Sequence, residues 1–281
     1  MPTFATPEPI SATISLAVGD ALLTASERSD TVVEVRPTDA SHEPDLRAAE
    51  QTRVEFAAGT LVVRAPKQRG LGLFAKPGSV DLTIELPSGS NVEGSASIAA
   101  FRGTGRLGAC RVKISSGDIR FEDVSTLAAD TGVGAIDIGH VAGDAEVSTG
   151  SGQLRVGEID GSAVVKNSNG DCWIGRAHRN LRVNNANGVI VVEHGDADIT
   201  AKTANGDVRV GEIARGSTSL TTALGEIEIG IRPGTAAHLD AHTSFGKVHN
   251  TLDAAERPEP SEHTVEIHAR TSFGDILIHH S

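Results

Sequence analysis

The chain has 281 residues, 31 of them glycine, with aromatics at 3% and a formal net charge of −12 from 25 basic and 37 acidic side chains. An acidic surface without basic clusters or interleaved aromatics excludes nucleic acid and anionic membrane as expected partners, and no apolar run approaches the roughly 18 residues of a membrane-inserted helix. The opening Met1-Pro-Thr-Phe-Ala-Thr-Pro-Glu-Pro-Ile has no basic n-region, so the cytoplasm is the expected compartment.

In chain order, residues 1–100 read as a strand-rich N-terminal cap continuous with a stack of repeats. Strand-like runs fall at 14–18, 21–25, 31–36, 53–57, 60–64 and 80–86, separated by turn formers such as Val18-Gly-Asp and Leu86-Pro-Ser-Gly. The stretch 43–51 is a helix candidate with Asp45 in its first turn. Residues 91–114 form the entry to the stack. Their glycine-rich run, Gly103, Gly105 and Gly108, lacks a following helix and a Lys-Ser/Thr pair, so it reads as a turn and not a phosphate cradle.

From residue 101 to 281 one short phrase repeats. Its clearest copies are Asn167-Ser-Asn-Gly-Asp-Cys-Trp-Ile-Gly, Asn185-Ala-Asn-Gly-Val-Ile-Val-Val and Thr203-Ala-Asn-Gly-Asp-Val-Arg-Val-Gly, with pivotal glycines at 170, 188 and 206. Further pivots are Gly117, Gly134, Gly152, Gly225, Gly246 and Gly274, at spacings of 17, 18, 18, 18, 18, 19, 21 and 28. Such a period predicts an all-β parallel solenoid of about nine coils, wound right-handed, in which each coil buries its apolar face against its neighbours.

Aligning the coils on the pivot separates inside from outside. Two and four residues after it stand apolar pairs such as Leu154/Val156, Cys172/Ile174, Ile190/Val192 and Ile276/Ile278, and a second set precedes it, including Leu181/Val183. Alternation of this kind marks strands with one buried face. Asn169, Asn187 and Asn205 predict a stacked asparagine ladder. Three residues before the pivots, Thr131, Thr149, Asn167, Asn185, Thr203, Thr222, Thr243 and Thr271 predict a second polar ladder, and Gly139, Gly157, Gly175, Gly211 and Gly230 mark another corner. Cys110 and Cys172 sit on inward positions three coils apart, too far to bridge, as buried free thiols.

The Gly-Asp/Glu-Ile/Val pivots, the Ser79-Val-Asp-Leu-Thr-Ile-Glu-Leu-Pro-Ser-Gly stretch and the Arg270-Thr-Ser-Phe-Gly-Asp-Ile phrase resemble the actinobacterial branch of the putative-adhesin β-strand-repeat proteins. The resemblance covers nearly the full length. It implies a β-solenoid fold, and it brings no catalytic residues, because that family has no established activity.

Enzyme chemistry finds little support in the residues. Hexapeptide acyltransferases need an aliphatic-Gly signature about every six residues, whereas here it recurs once per coil. A carbohydrate-active β-helix enzyme or sugar-binding protein, the alternative reading, needs long loops and aromatic platforms, but the chain has no Tyr and one Trp. No cofactor and no metal are expected. Seven of the eleven histidines fall between residues 238 and 280 and read as solvated surface, His279 and His280 pointing to opposite faces of a strand.

Two surface features remain. Trp173, three residues after its pivot, is predicted to point outward beside Arg155, Val189 and Val191, an apolar patch crossed by a cation–π contact and suited to an unidentified protein partner. The phrase at 271–278 comes last in sequence, so Ile276, Leu277 and Ile278 are expected to form an open end. Either the insertion at 253–262, with Pro258 and Pro260, folds across that end or His279 and His280 blunt it by hydration and partial charge; with neither cover complete, two chains would meet through residues 271–281 as a weak homodimer. The expected role is non-catalytic protein binding or scaffolding.

Overall fold

Alternating apolar residues and punctuating glycines give a nearly all-β chain. The computed structural model describes residues 1–66, 78–252 and 263–281. The described residues form twenty-four strands and one helix, and they group into two units, Met1–Ala142 and Gly143–Ser281.

In the first unit the coils begin at Ser11–Ser26, inside the segment read as cap. Its first half buries Ala12, Ile14 and Leu16 and its second half Ala21, Leu23 and Ala25. The alternation changes phase at a corner around Gly19, where φ is 139° and a Cβ would stand 1.8 Å from the Val80 carbonyl oxygen. One edge of this strand pairs in parallel with Asn91–Ile98 and then Phe101–Ser116, so the next coil stacks directly on it. Its other edge is covered by Thr60–Arg64 and Ser79–Pro87, with Asp30–Pro37 antiparallel beyond the latter. Covering that edge is what a first coil needs, because unpaired amides recruit other chains.

The helix forms at Glu43–Gln51, as the sequence predicts. Asp45 does more than favour the helix N-terminus. Its carboxylate accepts the Ser79 amide at 3.0 Å and lies 2.8 Å from His42 Nδ1, which ties the helix to the strand Ser79–Pro87. Those bonds, the Ser79 amide first, hold its carboxyl below the usual carboxylate range.

The second unit is built of two parallel ladders. One runs through Ala145–Ser151, Ala163–Asn169, Leu181–Asn187 and Ile199–Lys202, the other through Leu154–Ile159, Cys172–Ala177, Ile190–Gly195, Val208–Ile213 and Ile227–Ile231. The inward register is as the alignment predicts: Leu154, Val156, Cys172, Ile174, Ile190, Val192, Val208 and Val210 are all at most 1% exposed. A third inward column, Ile159, Ala177, Gly195 and Ile213, lies seven residues after the pivots and is hidden in the sequence, because a corner glycine interrupts the alternation before it.

The corners match the sequence closely. Asn187 Nδ2 donates to Asn169 Oδ1 at 3.0 Å and Asn205 Nδ2 to Asn187 Oδ1 at 2.7 Å, which is the asparagine ladder. The second polar ladder is buried apart from Thr243, and its rungs reach the pivot carbonyl of the adjacent coil, as in Asn167 to Gly152, Asn185 to Gly170 and Thr222 to Gly206, at 3.0, 2.9 and 2.9 Å. Pivots such as Gly170 adopt φ of 133°, and a Cβ there would stand 2.1 Å from the Gly152 oxygen, so glycine is required twice over. The second glycine column is needed for closeness alone: a Cβ at Gly175 would stand 2.4 Å from the Gly157 oxygen.

Asn185 differs from its neighbours on this ladder. Its Nδ2 is bonded but its buried Oδ1 has no partner, whereas the threonine rungs carry a single hydroxyl to satisfy. Asn185→Thr keeps the bond to Gly170 and removes the orphan acceptor. It is expected to stabilise the fold by about 1 kcal/mol, read as a higher urea midpoint at unchanged slope; a lower midpoint would show that the amide oxygen has a role the geometry hides.

The far edge corrects the expected order of coils. Ile227–Ile231 pairs with Ile276–His280, which in turn pairs with Val248–Asn250. Likewise Gly216–Leu224 pairs with His263–Phe273, and that strand with Thr235–Phe245. The coil that is last in sequence is therefore inserted between the two coils before it. Ile276 and Ile278 are fully buried, and only Leu277 shows, at 38% exposure. The premise for a dimer through residues 271–281, an open edge at these isoleucines, does not hold, because the edge belongs to the coil at 235–250. The insertion carrying Pro258 and Pro260 lies outside the described residues.

Candidate functional site

Two features of the second unit gather side chains with chemical character. The first is the outer face at Trp173. Strand register sets Arg155 and Val191 on either side of it, and the Arg155 guanidinium carbon lies 4.9 Å from the centre of the ring. The ring extends over Gly175, where a Cβ would stand 3.0 Å from Trp173 Cη2. Its indole N–H donates to Glu193 Oε1 at 2.9 Å. Glu193 stands in the column that other coils fill with glycine, one coil beyond Gly175. Trp173, Val189 and Val191 are half-buried and Arg155 is exposed; register sets Arg155, Trp173 and Val191 side by side, with Val189 two residues before Val191 in the chain. The structure does not bring Ile276, Leu277 and Ile278 to an exposed edge.

The second feature is not among the sites expected from the sequence. Asp160, His178 and Asp196 succeed one another at eighteen-residue intervals down one corner of three successive coils, and Glu158 stands beside Asp160 on the same strand end. His178 Nε2 lies 2.8 Å from Glu158 Oε1 and 3.7 Å from Asp160 Oδ1, while its Nδ1 lies 3.1 Å from Asp196 Oδ2. Ligand atoms of Glu158, Asp160 and His178 all fall within 4.8 Å of one another. Arg176 and Arg232 approach Asp196, at 3.6 and 3.9 Å. The cluster borders an open groove of about 610 Å³ whose lining includes Ser162, Asn180, Asp198 and Arg215. A signal exists in the sequence: the same coil alignment that orders the isoleucines places these three residues in one column, but histidines draw attention only where they are dense.

A neighbouring pair is a plain structural clamp. Arg232 donates to Glu212 at 3.0 and 2.5 Å and holds its carboxyl below the usual carboxylate range. Folding thus favours the ionised form of Glu212, and this contribution is present at neutral pH and is lost as the pH falls through the depressed folded value.

The acidic residue after several pivots has a similar duty. Asp171 Oδ1 accepts the Val189 amide at 2.9 Å and Asp207 Oδ1 the Glu226 amide at 3.0 Å, so these carboxylates stitch one coil to the next. Asp118 likewise accepts the Ala135 amide, at 2.9 Å.

Both cysteines are free and buried. Burial pushes the Cys110 thiol up to about 12 and the Cys172 thiol up to about 11. At pH 8 neither is expected to react with an aromatic disulfide reagent until the protein unfolds; fast labelling of either in the native state would show that its coil opens.

Among the described residues no helix is long and apolar enough to cross a membrane. No curated protein matches the chain. Among solved structures it is similar to a putative adhesin from Bacteroides fragilis, at 13% identity over 99% of this chain and 95% of that one, with a TM-score of 0.34. A putative cell adhesion protein from Clostridium sporogenes matches at 11% identity over 100% and 98%, TM-score 0.27. A putative lipid binding protein from Parabacteroides distasonis matches at 10% over 100% and 95%, TM-score 0.29. Overlap at that level says nothing about what this chain binds. The match that assigns it is to a family model extending over residues 28–280, so the chain belongs to the Toastrack DUF4097 family, a domain of unknown function.

Proposed function

We propose that this protein is a non-catalytic binding solenoid whose recognition face in the second unit is centred on Trp173. The observation that carries the reading is the placement of the one tryptophan on an outward strand position, half-buried, with Arg155 across its ring and Val191 beside it. Aromatic side chains with a neighbouring arginine are the residue types that supply most of the binding energy at protein interfaces. A flat sheet with locked register offers them at little entropic cost on binding.

The state of the carboxylates supports a non-catalytic role. Asp30, Asp39, Asp45, Glu212 and Asp240 are all held below the usual carboxylate range, respectively and chiefly by Arg28, Ser41, the Ser79 amide, Arg232 and His268. A general acid at neutral pH needs the opposite displacement. These groups are arranged to stay charged and bonded.

Trp173 emission is expected to be quenched by acrylamide in the folded protein, since its ring is half exposed; a blue-shifted, unquenched signal would overturn the proposed face. The binding test is a pull-down from the native host with three baits: the natural chain, Trp173→Ser, and Arg182→Ser on the outer face of the other ladder. A partner recovered by the first and third and lost with Trp173→Ser supports the reading. Equal recovery by all three overturns it.

A further inference from the structure

We infer that Glu158, Asp160 and His178 form a binding site for a divalent transition-metal ion, with Asp196 orienting the histidine. A neutral imidazole carries one N–H, and the His178 Nδ1 position, 3.1 Å from Asp196, is where a carboxylate would hold it. The lone pair of Nε2 then faces the Glu158 carboxylate at 2.8 Å, with Asp160 at 3.7 Å. Two electron-rich atoms at 2.8 Å need a cation between them, either a second proton or a metal.

Ligands about 2.1 Å from a tetrahedral zinc ion stand about 3.4 Å apart; the Nε2–Asp160 separation is close to that, and the Nε2–Glu158 pair, at hydrogen-bond distance in this structure, would open by about 0.6 Å to admit the ion. Little rearrangement is needed, because all three ligand atoms already lie within 4.8 Å of one another. A histidine that gives its metal-distal N–H to a carboxylate is the arrangement that fixes the ring and raises the basicity of the ligating nitrogen. Arg176 and Arg232 pair with Asp196 at 3.6 and 3.9 Å, and Arg176, in register with Glu158, stands beside the ligand set, so the two carboxylates have to offset its charge as well as hold the ion.

The donor set selects the ion. One imidazole with two carboxylates suits zinc, cobalt or manganese, whereas calcium and magnesium take oxygen ligands and gain nothing from His178. Three protein ligands leave a fourth position for water, and the adjoining groove gives it room. The site spans two coils, Glu158 and Asp160 in one and His178 in the next, with Asp196 in a third. Metal binding would therefore brace a corner of the stack.

Zinc titration of the full chain by calorimetry tests this, with a cobalt titration read by visible absorption as the second measurement. The expected result is one ion per chain with a dissociation constant on the order of 10 μM or tighter, a raised melting temperature, and no comparable response to calcium. His178→Gln should abolish binding, and Asp196→Asn should weaken it about 10–100-fold as an orienting residue. If His178→Gln fails to fold, the surface pair Glu158→Gln with Asp160→Asn carries the same expectation. His279→Ala, on the strand Ile276–His280 beside Glu228, should leave binding unchanged. No saturable binding by 1 mM zinc, an equal calcium response, or zinc binding that survives His178→Gln would each overturn the proposal.

Discussion

Ile190→Asp is expected to lower the stability of the second unit by roughly 4 kcal/mol or more. Ile190 is fully buried, in register with Cys172 on one side and Val208 on the other. The substitution removes a buried aliphatic side chain and puts an unpaired carboxylate in its place. Either the charge is buried at a cost of several kcal/mol, or the residue takes up a proton and leaves polar atoms without partners. Neighbouring coils then lose support on both sides, because solenoid stability is a sum of contacts between neighbours. The control is one residue away: Val191→Asp points outward and should cost less than about 1 kcal/mol. Urea unfolding followed by Trp173 emission checks both, and equal effects at 190 and 191 would show that the strand register is wrong.

Removing residues 263–281 should be at least as damaging. These residues supply Val265, Ile267, Ile276 and Ile278, all nearly inaccessible to solvent, to the interior between two coils. At about 1.5–3 kcal/mol each, their burial contributes roughly 6–12 kcal/mol before the entropy of ordering is subtracted. More telling is what happens to residues 235–250, which pair only with the removed strands in the described ladders. Their amides should exchange with solvent at nearly the rate of an unfolded chain.

The reciprocal deletion should be far milder. Thr235 is in register with His263, one strand spacing away. Joining Gly234 directly to His263 would discard the outer coil and let the chain step up by one coil in place of two. Hydrogen exchange measured by mass spectrometry on both variants decides the matter. If losing 263–281 were tolerated and losing 235–262 were not, the spatial order of the coils would be wrong.

Why the coil register is legible in the sequence, and this order is not, comes down to the range of the interactions. The phase of inward residues, the pivot at Gly170 and the ladder at Asn169, Asn187 and Asn205 are set by local alternation and turn chemistry, which a sequence displays directly. Which coil lies next to which is set by pairing across tens of residues, and here the competing phrases are nearly the same: Thr243-Ser-Phe-Gly-Lys-Val and Thr271-Ser-Phe-Gly-Asp-Ile. Clues exist in the composition of the two coils. Asn250 occupies an inward slot where the other coil has Ile278, and a polar residue there suits an edge. Lys247 replaces the acid that would accept an amide from a further coil, while Asp275 accepts the Lys247 amide at 2.8 Å. The Trp173 face is legible because it depends on one strand's phase and its two neighbours. The His178 cluster is harder to see, since its members are weakly distinctive alone and meet only after the chain is wrapped.

The inserted coil also bears on biosynthesis. Residues 235–250 leave the ribosome before 263–280, yet they end up outside them. While the later segment is still in the exit tunnel, the strand Gly216–Leu224 offers the earlier one a free edge with a matching pattern of threonines and aliphatic residues. Any contact made there has to come apart before the later segment can enter. Were that contact to form, the C-terminal coils would have to close by displacement, and a pause in translation between the two segments would lengthen the life of the wrong pairing.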